Sequence, residues 1–230
     1  MIEQLSNTRT LSVQEARELT AGGDHYRAYV GPPTEYDIMG ATQFHLACSA
    51  GLRESHSLLD FGCGSLRAGR LFITYLLPRR YYGLEPNTWL LDEAIDREIG
   101  RDMIAIKQPT FRHDRDFDIG HFKSEFDFII AQSVFSHAGP GLIEAALLSF
   151  RKYLKSDGLA LVTFIHPEQL PAAEEPAEMA WVYPGCVTYE PNDILAMIEK
   201  IGLKGRCLKW HHPRQKWYAL AHDVSRMPPL

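Results

Sequence analysis

The stretch Asp60-Phe61-Gly62-Cys63-Gly64-Ser65-Leu66-Arg67-Ala68-Gly69 has the residue types and spacing of a ligand-binding turn. Two glycines separated by one residue permit a sharp turn and let a ligand approach the backbone closely. The run Ser57 to Phe61 reads as a buried strand, and Leu66 to Leu77 reads as a helix stopped by Pro78. The unpaired N–H groups at the start of such a helix suit a carboxylate or phosphate. Glu85 closes a second short apolar run, Tyr81 to Leu84, and lies 21 positions after Gly64. A carboxylate at that offset can accept hydrogen bonds from both hydroxyls of a ribose. The combined chemistry is that of holding a nucleoside with a charged tail.

The elements that must position these residues follow from periodicity. Phe126 to Ala131 and Leu159 to Ile165 read as strands, and Thr110 to His113 as a weaker one. Asn87 is placed to cap a helix running to about Ile99, with Gly100 as its stop. Leu142 to Leu154 is amphipathic, the turn Lys155-Ser156-Asp157-Gly158 follows it, and another helix runs from Pro191 to Ile201. Alternation of buried strands with helices predicts an α/β fold, a largely parallel sheet with helices on both faces. Strands at Leu203–Trp210 and Lys216–Ala221 are joined only by His211 to Gln215, too short for a parallel crossover, so the last strand should be antiparallel. Seven strands result. Before them, Ser12 and Glu15 form a capping-box pattern for a helix ended by Gly22-Gly23, and Tyr36 to Gly51 suits another helix. Residues 1–56 therefore read as a helical cap and 57–230 as the core. An insertion at about 167–187, rich in proline and carrying Glu168, Glu174, Glu175 and Glu178, reads as a lid.

Composition narrows the function classes. The 230 residues carry 24 Lys and Arg against 29 Asp and Glu, a net charge of −5. That balance argues against broad binding to a phosphate backbone. No run approaches the ~20 apolar residues of a membrane span, and Met1 to Thr20 has no secretory h-region. The four cysteines show no C-x-x-C spacing, which predicts reduced thiols and a cytoplasmic location. The ten histidines form no strong ligand spacing, so no metal is expected.

Two cofactor classes use a glycine turn of this kind, dinucleotides and S-adenosylmethionine. A dinucleotide fingerprint needs a third glycine at position 67, which is Arg67. With Asp60 two residues before Gly62, the D-x-G-x-G pattern resembles motif I of class I S-adenosylmethionine-dependent methyltransferases. Phe126 to Ser133, then Val134-Phe135-Ser136-His137, then Leu154 to Gly158 resemble the later motifs, so the likeness spans about Ser57 to Ala221.

The resemblance implies a Rossmann-like fold, S-adenosylmethionine as cofactor and S-adenosylhomocysteine as product. It implies that Asp60, Gly62, Cys63 and Gly64 shape the floor near the methionine portion, that Glu85 holds the ribose, and that Pro86 and Asn87 flank the adenine. Asp114 or Asp116 would accept from the adenine amino group, the register being open between them. Gln132 and Ser133 would lie beside the reacting methyl. His25, Tyr26 and Tyr29 of the cap could close over the sulfonium, since aromatic faces suit a cation, and Trp181 and Tyr183 of the lid could meet the acceptor. His166, directly after the fifth strand, is the first candidate for a general base and His137 the second. The expected reaction is methylation of a hydroxyl or amine on a small molecule, a metabolite or sugar unit. RNA or protein methylation, favoured by the basic run from Lys200 to Lys216, is the first alternative. A non-catalytic cofactor-binding interaction subunit is the second.

Overall fold

Along the central strands, alternate side chains serve two apolar layers, which is why the sheet is covered on both faces. A computed structural model describes residues 11–171, 173 and 176–229, so Glu174 and Glu175 of the lid lie outside the described residues. Strands β1 (Leu58–Phe61), β2 (Tyr81–Leu84), β3 (Thr110–Arg112), β4 (Phe126–Ala131), β5 (Leu154–Phe164), β6 (Lys204–Cys207) and β7 (Lys216–Ala221) form one sheet. Their order is β3-β2-β1-β4-β5-β7-β6. Strand β7 slots between β5 and β6 and is antiparallel to both, while β1 to β5 are parallel neighbours. In β4, Ile129 and Ala131 enter one layer with Ile143, Leu147 and Phe150, and Phe128 and Ile130 enter the other with Leu66, Phe72 and Leu91.

Helices α1 (Val13–Glu18), α2 (Tyr26–Tyr29) and α3 (Tyr36–Ser49) precede the sheet. The Ser12–Glu15 capping box is present, but α1 ends at Glu18, before the glycine pair. Within the core, α4 (Gly69–Tyr75) and α5 (Thr88–Ala94) alternate with the early strands, followed by α6 (Arg101–Lys107). Later come α7 (Pro140–Tyr153) and α8 (Pro191–Lys200).

Three expectations change. Helix α4 begins at Gly69 rather than Leu66, because Leu66 adopts a left-handed φ of 55° that no helix continues. The helix after Asn87 is not uniform: α5 gives way to a π turn at Ile95–Ile99 before Gly100. The Lys155–Gly158 segment is part of β5, whose pairing with β4 shifts register between Phe126 and Phe128.

Ion pairs tie the cap to the core. Glu98 accepts from Arg27 and Arg70 while Asp37 accepts from the same two arginines. Tyr26 donates to Glu98 at 2.8 Å, and both arginines lie over the Tyr36 ring. Among the described residues, no helix is long and apolar enough to cross a membrane.

Candidate active site

The turn after β1 is fastened to β2. The N–H groups of Gly62 and Cys63 both donate to the Leu84 carbonyl, at 2.9 and 3.0 Å. Gly62 and Gly64 have φ of 74° and 53°, and a β-carbon on either would come within 2.5 Å of Val134 Cγ2 or 2.7 Å of Val30 Cγ1. Glycine is thus required at both positions by conformation and by space. The N–H of Gly64 donates to Glu85 Oε2 at 3.0 Å. These three N–H groups are therefore occupied, and α4 starts five residues further on. The expected helix N-terminus facing a ligand does not form here. What the turn offers is a backbone cradle.

Glu85 is the centre of that cradle. It is buried, and its Oε1 accepts from the backbone N–H and side-chain amide of Asn87, at 2.9 and 2.8 Å. Asn87 thus serves Glu85 instead of capping α5 with its side chain. Burial raises the Glu85 pKa, opposed by its bonds from Asn87 and Gly64. His113 Nδ1 donates to the Glu85 carbonyl at 2.8 Å, a support that sequence reading missed. Asp60 is also buried and accepts from Tyr81 Oη at 2.8 Å. Burial pushes its pKa up to about 7, against the pull of Tyr81 and Arg67. Asp114 lines the cavity and pairs with Arg112. Asp116 turns to His121 and is not among the lining residues, which separates the two candidates by position.

At the end of β4, Ser133 has φ of 60° and its N–H donates to Thr163 Oγ1 at 2.8 Å. Its hydroxyl accepts from Gln215 Nε2 at 2.9 Å. The Gln132 amide lies 3.3 Å from His212 Nε2, and Gln132 Oε1 is buried without a partner. His212 Nδ1 accepts from the N–H groups of Arg214 and Gln215, at 3.2 and 3.0 Å. The β6–β7 link therefore returns to the site, bringing His212, Arg214 and Gln215 with it. The sequence signal was present as a short link between two strands, but its destination was not.

Cap and lid form the roof. Tyr29 and Tyr183 have ring centroids 4.8 Å apart, and Tyr183 donates its hydroxyl proton to the Tyr29 carbonyl. The lid is pinned by backbone bonds from Gly139 to Ala180, Gly141 to Glu178 and Val182 to His137, all near 2.8–2.9 Å. His137 sits beneath Tyr183 and Trp181, with centroids at 4.9 and 5.8 Å. Its Nδ1 lies 2.6 Å from the Gly185 carbonyl, which can only accept. The proton is thereby fixed on Nδ1, leaving Nε2 with a free lone pair. Burial lowers the His137 pKa, which favours the neutral ring, against the pull of its bond to Gly185.

Three candidates stand elsewhere. His166 is buried outside the cavity lining, its ring nitrogens 2.8 Å from Tyr218 Oη and 3.2 Å from Glu168. Neither nitrogen is left to receive a substrate proton. His25 caps α2 through Nδ1, and Tyr26 is committed to Glu98; neither lines the cavity. The residues that do line it enclose about 850 Å³, and they include Asp60, Gly62, Cys63, Gly64, Glu85, Pro86, Asn87, Gln132 and Ser133. Roof residues Tyr29, His137, Trp181 and Tyr183 close it, and Arg67 and Arg214 stand at its side.

A family model described as a methyltransferase domain matches residues 59–160, which run from β1 into β5. Solved structures share the fold over nearly the whole chain. The magnesium protoporphyrin IX methyltransferase of Synechocystis PCC 6803 with bound SAH is 13% identical, with a TM-score of 0.60 over 88% of this chain and 91% of that one. The sugar N-methyltransferase KedS8 from Streptoalloteichus sp ATCC 53650 is 13% identical, with a TM-score of 0.63 over 86% and 93%. A glycopeptide N-methyltransferase complexed with S-adenosylmethionine is 12% identical, with a TM-score of 0.61 over 80% and 94%. No curated protein sequence matches. The matched segment supplies the floor of the cavity, while cap, lid and β6–β7 link lie outside it.

The floor fits S-adenosylmethionine on its own geometry. Glu85 is a buried carboxylate facing the cavity, as a ribose diol needs. The two glycines let Val134 and Val30 pack against the turn, and the turn lines the cavity with bare backbone. Buried Asp60 places an acceptor beside the turn, where a cationic centre is welcome.

Proposed function

We propose that this protein is a methyltransferase that uses S-adenosylmethionine to methylate a hydroxyl or amine of a small molecule. The observation that carries this reading is the roofed cavity, whose roughly 850 Å³ lies within the ~300–1,000 Å³ of small-molecule sites. Cap and lid meet above it through Tyr29 and Tyr183, which favours an acceptor small enough to be enclosed.

When bound, the cofactor would supply an electrophilic methyl group for the acceptor oxygen or nitrogen, leaving S-adenosylhomocysteine. Glu85 would hold the ribose end and the turn at Gly62–Gly64 would face the tail, which would align the reacting carbon before the acceptor arrives. Tyr29, Trp181 and Tyr183 exclude water. His137 is the group placed to take the acceptor proton. Its Nδ1 proton is held by Gly185, and its Nε2 is unprotonated in the neutral ring that burial favours.

The test is a labelled-methyl transfer assay against fractionated metabolites, run with wild type and His137→Gln. The variant should lose about 10²-fold or more in kcat while S-adenosylhomocysteine affinity stays within a few fold. In the wild type, kcat should be flat at neutral pH and fall only below the ordinary histidine range, because the active form is the neutral ring. An unchanged kcat in the variant would remove His137 as the base.

A further inference from the structure

Position 67 broke the dinucleotide pattern, and Arg214 belonged to a run of basic residues without a neighbouring acid. The fold brings both to one place. Arg67 comes from the turn before α4 and Arg214 from the β6–β7 link, and both line the cavity. They meet across Gly31 of the cap: a β-carbon there would lie 3.3 Å from Arg67 Nη1 and 3.7 Å from Arg214 Nη2. Arg67 Nη1 donates to the Val30 carbonyl at 2.6 Å, which aims the guanidinium. Neither guanidinium makes an ion pair within 4.0 Å among the described residues. Asp60 and Glu35 act on Arg67 only at longer range. Two cations held side by side repel each other and burial adds to that cost, while the Glu35 carboxylate, which lines a small pocket with both, makes no ion pair with either.

Such an arrangement is relieved by an anion. We infer that Arg67 and Arg214 form a binding site for a carboxylate or phosphate on the methyl acceptor, so that the substrate class is an acidic small molecule. The inference rests on the S-adenosylmethionine reading above and extends it. The anion is assigned to the acceptor rather than to the cofactor's own carboxylate because Arg214 comes from the β6–β7 link and not from the glycine turn. Arg214 stands on the side of the roof, where its charge acts on His137 and on Cys186 of the lid. Arg67 reaches back toward Asp60 on the floor. The pair lines the same cavity as the glycine turn and His137, so an acceptor anchored there by its acid group shares that cavity with the proton-accepting histidine. Planar guanidinium forks also recognise carboxylate and phosphate bidentately, which fixes orientation as well as charge.

The experiment is calorimetric. S-adenosylhomocysteine is titrated first, then inorganic phosphate and succinate are titrated separately into the loaded protein and into protein loaded with methylthioadenosine, which lacks the amino-acid tail. Wild type should bind S-adenosylhomocysteine and then at least one of the two anions. The Arg214→Gln variant should weaken the anion tenfold or more and leave S-adenosylhomocysteine affinity within twofold. Arg67→Gln should weaken the anion as well, and its far-ultraviolet spectrum checks that it folds. Preference for phosphate or for succinate tells a phosphate ester from a carboxylic acid. Anion binding that occurs with methylthioadenosine but vanishes with S-adenosylhomocysteine overturns the assignment, since the pair then holds the cofactor's carboxylate. No anion binding to the loaded wild type, or binding unaltered in Arg214→Gln, overturns it too. Failure to bind S-adenosylhomocysteine at all overturns the cofactor reading first and the inference with it.

Discussion

On the floor of the cavity, Glu85 is held by Gly64 and by Asn87, partners 21 and 2 positions away. On the roof, Tyr183 reaches the Tyr29 carbonyl across 154 positions. The floor is made of strand ends and one turn, held by backbone bonds to Leu84 and by the Glu85 carboxylate. The roof is two surface segments that meet only because both are docked on the core. Preorganisation of the cofactor site can thus be built into the sheet, while the acceptor site depends on how cap and lid are held. The same division separates residues 59–160, which the methyltransferase-domain model matches, from the parts that would choose a substrate.

The contrast can be broken most severely on the floor. Glu85→Ala removes a carboxylate that would accept two ribose hydroxyls, each charge-assisted bond being worth about 1.5–3 kcal/mol. S-adenosylhomocysteine affinity should fall about 100-fold or more by calorimetry, and unchanged affinity would mean that the floor does not hold the ribose.

A second test addresses the β6–β7 link that joins floor to roof. Burial and the charges of Arg67 and Arg214 depress the His212 pKa from 6.5 to about 3. The unfolded chain takes up this proton near pH 6.5, and the folded chain refuses it until about pH 3. Stability should therefore fall as pH drops through that window, by up to about 1.4 kcal/mol per pH unit from this group. In His212→Asn, whose side-chain oxygen can still accept the Arg214 and Gln215 N–H groups, urea unfolding should show a flatter acid limb. An equally steep limb would show that the link is not built around a neutral ring.

The smallest effect is expected on the roof. Tyr183→Phe removes one hydrogen bond to the Tyr29 carbonyl, worth about 0.5–1.5 kcal/mol. Acceptor KM should rise several-fold with S-adenosylhomocysteine affinity unchanged. A large loss of cofactor affinity would mean that roof and floor are not separable.

The same division governs what could be read before the fold was known. Strands β4 and β7 lie where their apolar runs begin and end, because charged or turn residues bound them. Glu85 and the glycines were legible because their partners are close along the chain. Helix α4 starts late because Leu66 takes a left-handed conformation, which no apolar pattern records. His166 does sit at the carboxyl edge of β5, as its position implied. The insertion of β7 beside β5, pairing Val162 with Tyr218, brings the Tyr218 hydroxyl onto the His166 ring. Arg67 and Arg214 were visible as residues but not as a pair, since their meeting across Gly31 depends on cap and link packing together.

The placement of β7 has a consequence for biosynthesis. Strand β5 ends at Phe164 and its partner β7 begins at Lys216, so roughly fifty residues separate their appearance at the ribosome, or about 3–10 s at ~5–20 residues per second. Throughout that interval β5 presents an unpaired edge carrying Val162 and Phe164 to whatever lies nearby. The nascent chain with its cofactor floor already translated is a sticky intermediate awaiting its last strand. Premature termination anywhere between the two strands should yield an aggregating product rather than a weakened enzyme.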